Sequence, residues 1–274
     1  MSISTIKSSE LEGFTRIDSE YYQPNYLELV DTLENAKAKP LFEIAEVVKR
    51  KFEPVSGEKF NYIEISEVDT QSGHINAIEV NGEEAPSRAQ YVVQSGDVII
   101  SSVRPNRNAV ALISLQQDGF VCSSGFVVLR PKDVSPEFLF ASLKAEYVRV
   151  LLDRQTTATM YPAVSESDLI ETPLISPSKS VVSRMEEKVN QAKLLGAKSK
   201  QSYADAESLL ASELGLKRIE LPDEDITTRK VSDVLKVSRI DAEYFHPQKA
   251  HTKNWLAEFS GKTVGDYFEP IRDI

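Results

Sequence analysis

The chain has 274 residues, with 41% hydrophobic and 27% charged side chains and a net charge of −10. That is ordinary globular composition, enough for one large domain or two modest ones. Its single cysteine, Cys122, excludes a disulfide framework and a cysteine-clustered zinc site, and its acidic balance argues against an autonomous nucleic-acid binder, which needs surplus Lys and Arg against phosphates. No apolar run approaches the roughly 18–20 residues of a membrane helix. The opening stretch MSISTIKSSELEGF lacks the apolar core of a signal peptide, so the expected compartment is the cytoplasm. No GxxxxGK[ST], GxSxG or HExxH pattern occurs, and His74, His246 and His251 are too scattered for a metal centre.

The first signal is a repeat. Residues 16–24, RIDSEYYQP, return at 239–247 as RIDAEYFHP, with six identities in nine. The same offset lays AKPLFEIAEVVKR (38–50) over GKTVGDYFEPIRD (261–273). A period of 223 residues is too long for a solenoid. It describes one whole unit followed by the opening of a second. Tyr21 and Tyr22 are expected to pack, and Asp18 and Glu20 to cap the segment or face a partner.

Residues 60–130 are strand-like. Short apolar segments (60–65, 75–80, 90–93, 97–103, 109–114 and 125–130) alternate with turn pairs such as Asn81-Gly82 and Ser95-Gly96. The period changes over 135–154. Ser135 suits a cap, Pro136 the first helical position, and Leu139, Leu143, Tyr147 and Leu151 recur every four residues. The expected fold is α+β, a strand-rich domain with packed helices. Cys122, beside Phe120 and Val121, reads as buried structure.

From about Ser178 to Leu214 a heptad emerges. Val182, Val189, Gly196, Tyr203 and Leu210 form one seam, and Met185, Ala192, Ser199 and Ala206 the other. This predicts a long coiled-coil-type helix paired with another; the alternative is a helix lying on its own domain. Gly215 stops it, and 217–230 reads as a polar connector.

This order of parts resembles the specificity subunit of type I restriction–modification systems. The resemblance rests on RIDSEYYQPNY, on YIEISEVDTQSGHI (62–75), APSRAQYVVQSGDVIISSVRPNRNAVALI (85–113), VCSSGFVVLRPK (121–132) and TTATMYPAVSESDLIETPLISP (156–177), and on a long helix opening SKSVVSRMEEKV. It implies an N-terminal segment at 1–39, a DNA target-recognition domain at 40–177, a spacer helix at 178–215, and a linker with the start of a second unit at 216–274. It further implies that two such helices pair antiparallel, that each domain reads half of a split double-stranded DNA site, and that the chain is not itself catalytic. Methyltransferase subunits carrying S-adenosylmethionine dock on it, and a motor–nuclease subunit joins for cleavage. No cofactor is expected in this chain. The partner could also be a second copy or a missing second half.

Base reading needs Arg, Asn, Gln, Ser or Thr aimed into a groove, with Lys or Arg on the backbone. The stretch SSVRPNRN offers Ser102, Arg104, Asn106, Arg107 and Asn108. Arg104 or Arg107 could fork onto guanine and Asn106 or Asn108 pair with adenine; the bland alternative is a polar hairpin whose Asn and Ser satisfy local backbone. Lys49, Arg50 and Lys51 in a row suit phosphate contact or a solvated strand end, as do Arg88 and nearby Tyr91. Thr157, Thr159 and Tyr161 suit phosphate or base contact, or a helix-terminal turn. The expected helix-pairing residues are Val182, Met185, Val189, Ala192, Gly196, Tyr203, Ala206 and Leu210.

Residues 40–160 carry 12 Lys or Arg against 16 Asp or Glu, a net of −4. Binding by this chain alone should therefore be weak and salt-sensitive. Two other readings stay open: a protein-binding assembly scaffold that dimerises through its helix, and a hydrolase using Ser123 or Ser124 with His74.

Overall fold

The computed structural model describes residues 5–7, 11, 16–156, 161–213 and 228–258. They belong to two compact units, residues 1–197 and 198–274. Part of the repeat (261–273), most of the connector, Thr157 and Thr159 lie outside the described residues.

The first unit is built on two four-stranded sheets. One has the antiparallel order β2 (Ala45–Val47), β9 (Phe126–Pro131), β6 (Val98–Ser101), β7 (Val110–Leu112). The other runs β4 (Ile78–Asn81), β3 (Lys59–Ile63), β8 (Val121–Ser123), β5 (Ala89–Val92), with β3 and β8 parallel. The run Val98-Ile99-Ile100-Ser101 is buried throughout because β6 has no solvent face. Ile99, with Ala111 and Val128, joins the core that also holds Ile63 and Cys122 from the second sheet. Val98 and Ile100 point the other way, onto Leu139, Leu143, Val148 and Leu152 of the helices. Burying each such side chain contributes about 1.5–3 kcal/mol.

The expected single helix over 135–154 is two: α3 (Pro136–Leu143) and α4 (Glu146–Gln155). Ser135 caps α3 as predicted, accepting from the Phe138 N–H at 3.2 Å, with Pro136 at its first position. The break coincides with contacts to residues distant in sequence. The Lys144 ammonium is drawn to the carbonyls of Thr70 and Asn108, and Ala145 is extended (φ −63°, ψ 140°), so the four-residue period resumes on a new axis. The three-residue strand β8 and the short pair β1 (Lys39–Pro40) with β10 (Pro173–Leu174) have too few residues to show a period.

Asp97 is fully buried. Its carboxylate lies 2.7 Å from Arg50 Nη1 and 2.6 Å from Arg130 Nε, the latter an ion contact without hydrogen-bond alignment, and accepts from the Gln94 N–H at 2.8 Å. A carboxylate out of water is tolerated only when so surrounded.

The long helix is α6 (Lys179–Glu213), 35 residues without a buried side chain. Beyond it come α7 (Val231–Val237), the second copy of the nine-residue repeat, and α8 (Pro247–Glu258). At the repeat offset α8 matches α1 (Pro24–Asn35): both have 12 residues and both open on proline.

Candidate nucleic-acid interface

Two of the stretches singled out in the sequence meet. Val103 and Ala163 form an antiparallel bridge, the Arg104 N–H donates to the Pro162 carbonyl at 2.7 Å, and the Val164 N–H donates to the Ser102 carbonyl at 2.9 Å. This brings the Arg104 guanidinium carbon to 5.5 Å from the centroid of the Tyr161 ring, a cation–π distance, with Tyr161 65% exposed.

Arg104 and Asn108 both hold left-handed backbone, φ 50° and 56°, at the two ends of a single tight turn, Pro105–Arg107. For Arg104 this conformation costs about 1–2 kcal/mol, while asparagine adopts it more readily. The turn is held from outside. The Asn108 amide donates to the Lys144 carbonyl at 3.0 Å, and the Lys144 ammonium donates back to the Asn108 carbonyl at 3.2 Å. Partial burial of that ammonium lowers the Lys144 pKa, opposed by the charge of Asp69. Asn106 and Arg107, by contrast, are exposed and make no side-chain bond or ion pair among the described residues.

The turn between β8 and β9 lies next to this loop. The Ser102 hydroxyl donates to the Gly125 carbonyl at 3.1 Å, and the Ser124 N–H donates to the Arg88 carbonyl at 2.7 Å. A Cβ on Gly125 would sit 2.6 Å from Ile65 Cδ1, so a larger residue there would require the tip of the Ile65 side chain to move. Arg88 is exposed; Tyr91 is half-buried, and its backbone bridges to exposed Lys51.

The predicted DNA contacts thus separate. Arg88, Ser102, Arg104, Asn106, Arg107 and Tyr161 belong to neighbouring loops. Ser102 and Asn108 spend their polar groups on backbone, the bland alternative for both. Arg50 turns inward to Asp97. Lys49 is paired with Glu166 at 2.9 Å, and its pKa is raised by that hydrogen bond and charge. Lys51 has no ion pair among the described residues. Cys122 is fully buried, and burial pushes its thiol pKa up to about 12. Among the described residues no three metal-ligating side chains come together, and no helix is long and apolar enough to cross a membrane.

Along α6, Val182, Met185 and Val189 are half-buried, whereas Ala192, Gly196, Tyr203, Ala206 and Leu210 are exposed. The heptad reading missed Leu194, Leu195 and Leu209, which are 71%, 57% and 62% exposed. The spacing of Leu195 and Leu209, two heptads apart, was the available signal.

No family model matches the chain. It is similar to the type I restriction enzyme HindI specificity subunit of Haemophilus influenzae, 26% identical over 105 residues, 36% of this chain and 22% of that protein. A solved chain from a study of complex assembly and conformational transition of a type I restriction–modification system is 29% identical with a TM-score of 0.50, over 67% of this chain and 50% of that one. The HsdS subunit from Thermoanaerobacter tengcongensis is also 29% identical, with a TM-score of 0.48 over the same shares. The chain spans about half the length of the solved relatives and a smaller share of the curated one. The resemblance to type I specificity subunits, first carried by short motifs, is found in sequence and in structure alike, and the strand-rich α+β fold with a following long helix agrees with it.

Proposed function

We propose that this chain is a non-catalytic DNA-specificity component of a type I restriction–modification enzyme, reading one half of a split site. The observation that carries this is the meeting of Arg104 and Tyr161 on a strained loop beside Arg88. Left-handed backbone at a non-glycine residue is stored strain of the kind that accumulates where a side chain must be aimed. A guanidinium with solvent access can fork onto guanine O6 and N7, and an exposed amide can pair with adenine, so half-buried Arg104 and exposed Arg107 and Asn106 are the base-reading groups. Arg88 and Lys51 supply phosphate contacts.

The net charge of −4 over residues 40–160 calls for help with phosphates. Methyltransferase subunits that close around the duplex would provide it, and they would bring S-adenosylmethionine. A motor–nuclease subunit would join the same assembly. The exposed apolar side chains of α6 suit pairing with a second long helix. Methylome sequencing of the host with and without this gene tests the reading. Disappearance of one bipartite methylated motif is the expected result, and an unchanged methylome refutes it.

A further inference from the structure

Lys144 carries a charge that it does not give to a carboxylate. It ends α3, where its N–H donates to the Phe140 carbonyl at 3.0 Å. The residue is half-buried and makes no ion pair among the described residues. Lysine normally extends its ammonium into water, and withdrawing it is costly unless it is well bonded. Here it donates to two main-chain carbonyls, that of Thr70 and that of Asn108, the latter at 3.2 Å. Asp69 is felt only through its field, because that carboxylate already accepts from the Ser72 N–H and hydroxyl at 2.6 Å each.

Three segments distant in sequence meet at this ammonium. One is the second corner of the 104–108 loop. The Asn108 carbonyl accepts from Lys144 and also from the Val110 N–H at 3.0 Å, and the Asn108 amide returns to the Lys144 carbonyl at 3.0 Å. Pro105 is buried beneath the loop, and α4 packs on it. Another is the 69–74 turn, closed by the Gly73 N–H donating to the Asp69 carbonyl at 2.8 Å. Gly73 has φ 72°, and a Cβ there would lie 2.7 Å from both the Val110 carbonyl oxygen and the Phe140 ring. That turn is therefore pressed against α3 and the start of β7 and offers Thr70 a fixed place. The third is the α3 end itself. The first corner of the loop is anchored separately, through the Arg104 N–H and the Pro162 carbonyl at 2.7 Å. Between the two anchored corners Asn106 and Arg107 stand exposed.

We infer that Lys144 is a positioning residue for base reading, riveting the Asn108 corner to the Thr70 turn and the α3 end and so aiming Asn106 and Arg107. The inference rests on the reading of 104–107 as the base-reading loop. Lys144 itself touches no base and no phosphate. Its donors are spent on carbonyls, and its work is to keep a strained turn in one conformation before DNA arrives.

The test compares Lys144→Gln, Lys144→Arg, Asn108→Gly and the double variant Lys144→Gln/Asn108→Gly in the assembled methyltransferase. Methylation of a randomised-site library gives base preference, and binding across a salt series gives the phosphate contribution. Lys144→Gln should lower discrimination at the base pairs read by the loop about tenfold, with the salt slope unchanged. Lys144→Arg, which keeps the charge and the donors, should recover most of it. Asn108→Gly accepts the left-handed corner but drops the amide bond, so it should lose discrimination at the same base pairs. The double variant should lose no more than the larger single, because both changes cut one junction.

Four results overturn the inference. Wild-type preference in Lys144→Gln, while Arg104→Lys relaxes its own base pair, removes the rivet and leaves the reading standing. Wild-type preference in both removes the reading as well. A uniform loss of affinity with the salt slope lowered by about 1 makes Lys144 a phosphate contact. Additive losses in the double variant, or no recovery in Lys144→Arg, make its role one of general stability. Should Lys144→Gln fail to assemble, Asn108→Gly decides alone, and wild-type preference in that chain overturns the inference.

Discussion

Arg104 rests its guanidinium carbon 5.5 Å from the centre of the Tyr161 ring, and residues 57 positions apart in the chain thereby present one surface. The aromatic face limits the arginine's rotamers before any ligand arrives, so little side-chain entropy remains to be lost on binding. Arg104→Lys keeps the charge and loses the planar fork. In the assembled methyltransferase it should relax preference at one base pair by about 1–3 kcal/mol, with other positions unchanged. Tyr161→Ala should have a smaller effect at that same position. Methylation of a randomised-site library reads both outcomes; an unaltered preference counts against direct reading by this loop.

The three basic residues 49–51 should behave differently from one another. Lys51→Gln should weaken binding to all sequences alike and lower the salt slope by about 1. Lys49→Gln should do less, because Glu166 already neutralises Lys49. Arg50→Gln should act on stability through Asp97. Affinities measured across a salt series separate the three.

Asp97→Asn removes the charge that holds Arg50 and Arg130. Asp97 is buried but the Arg50 and Arg130 side chains keep 26% and 32% of their surface exposed, so water can partly compensate them and the loss should be about 1–3 kcal/mol. Denaturant unfolding should register a loss of this order, with the slope m preserved.

The Cys122 thiol, with its pKa pushed up to about 12, should resist thiol reagents at pH 8 and react only on unfolding. The linkage has a definite sign. The folded state keeps the proton where the unfolded chain, with a thiol pKa of about 8.5, releases it. Stability is therefore unaffected below about pH 8.5 and falls by up to about 1.4 kcal/mol per unit between there and pH 12. Cys122→Ala should abolish that slope in urea melts compared at pH 8 and 10.

Tyr203→Glu with Leu210→Glu places charges on two side chains that are 74% and 60% exposed on α6. If these side chains meet a second long helix, sedimentation should give a lower mass for the variant. Leu195→Glu with Leu209→Glu should do the same. A mass unchanged in both variants removes α6 as the pairing element.

Much of the fold was legible because its signals are local. The apolar run at 98–100, the Ser135-Pro136 start and the start of α6, one residue from the expected Ser178, follow from periods and caps. The split of α3 from α4 was not, because it depends on Lys144 reaching carbonyls of Thr70 and Asn108 far away in sequence. At the candidate site, residue types singled out two stretches that the fold brings together, 102–108 and 161–164. They could not tell Arg50, turned inward to a buried carboxylate, from Lys51, left in solvent one position later. That difference depends on Asp97, 47 positions away in the chain, which draws the Arg50 guanidinium inward.

The left-handed backbone at Arg104 and Asn108 narrows what this loop can become. Asn, Asp and Gly tolerate such dihedrals most easily, and β-branched residues hardly at all. If the loop reads bases as proposed, Val, Ile and Thr are disfavoured at both corners, and a thymine methyl group would not be sought there with a branched side chain. Under the proposed reading, diversification of the target falls instead to Asn106 and Arg107, whose backbone is not left-handed.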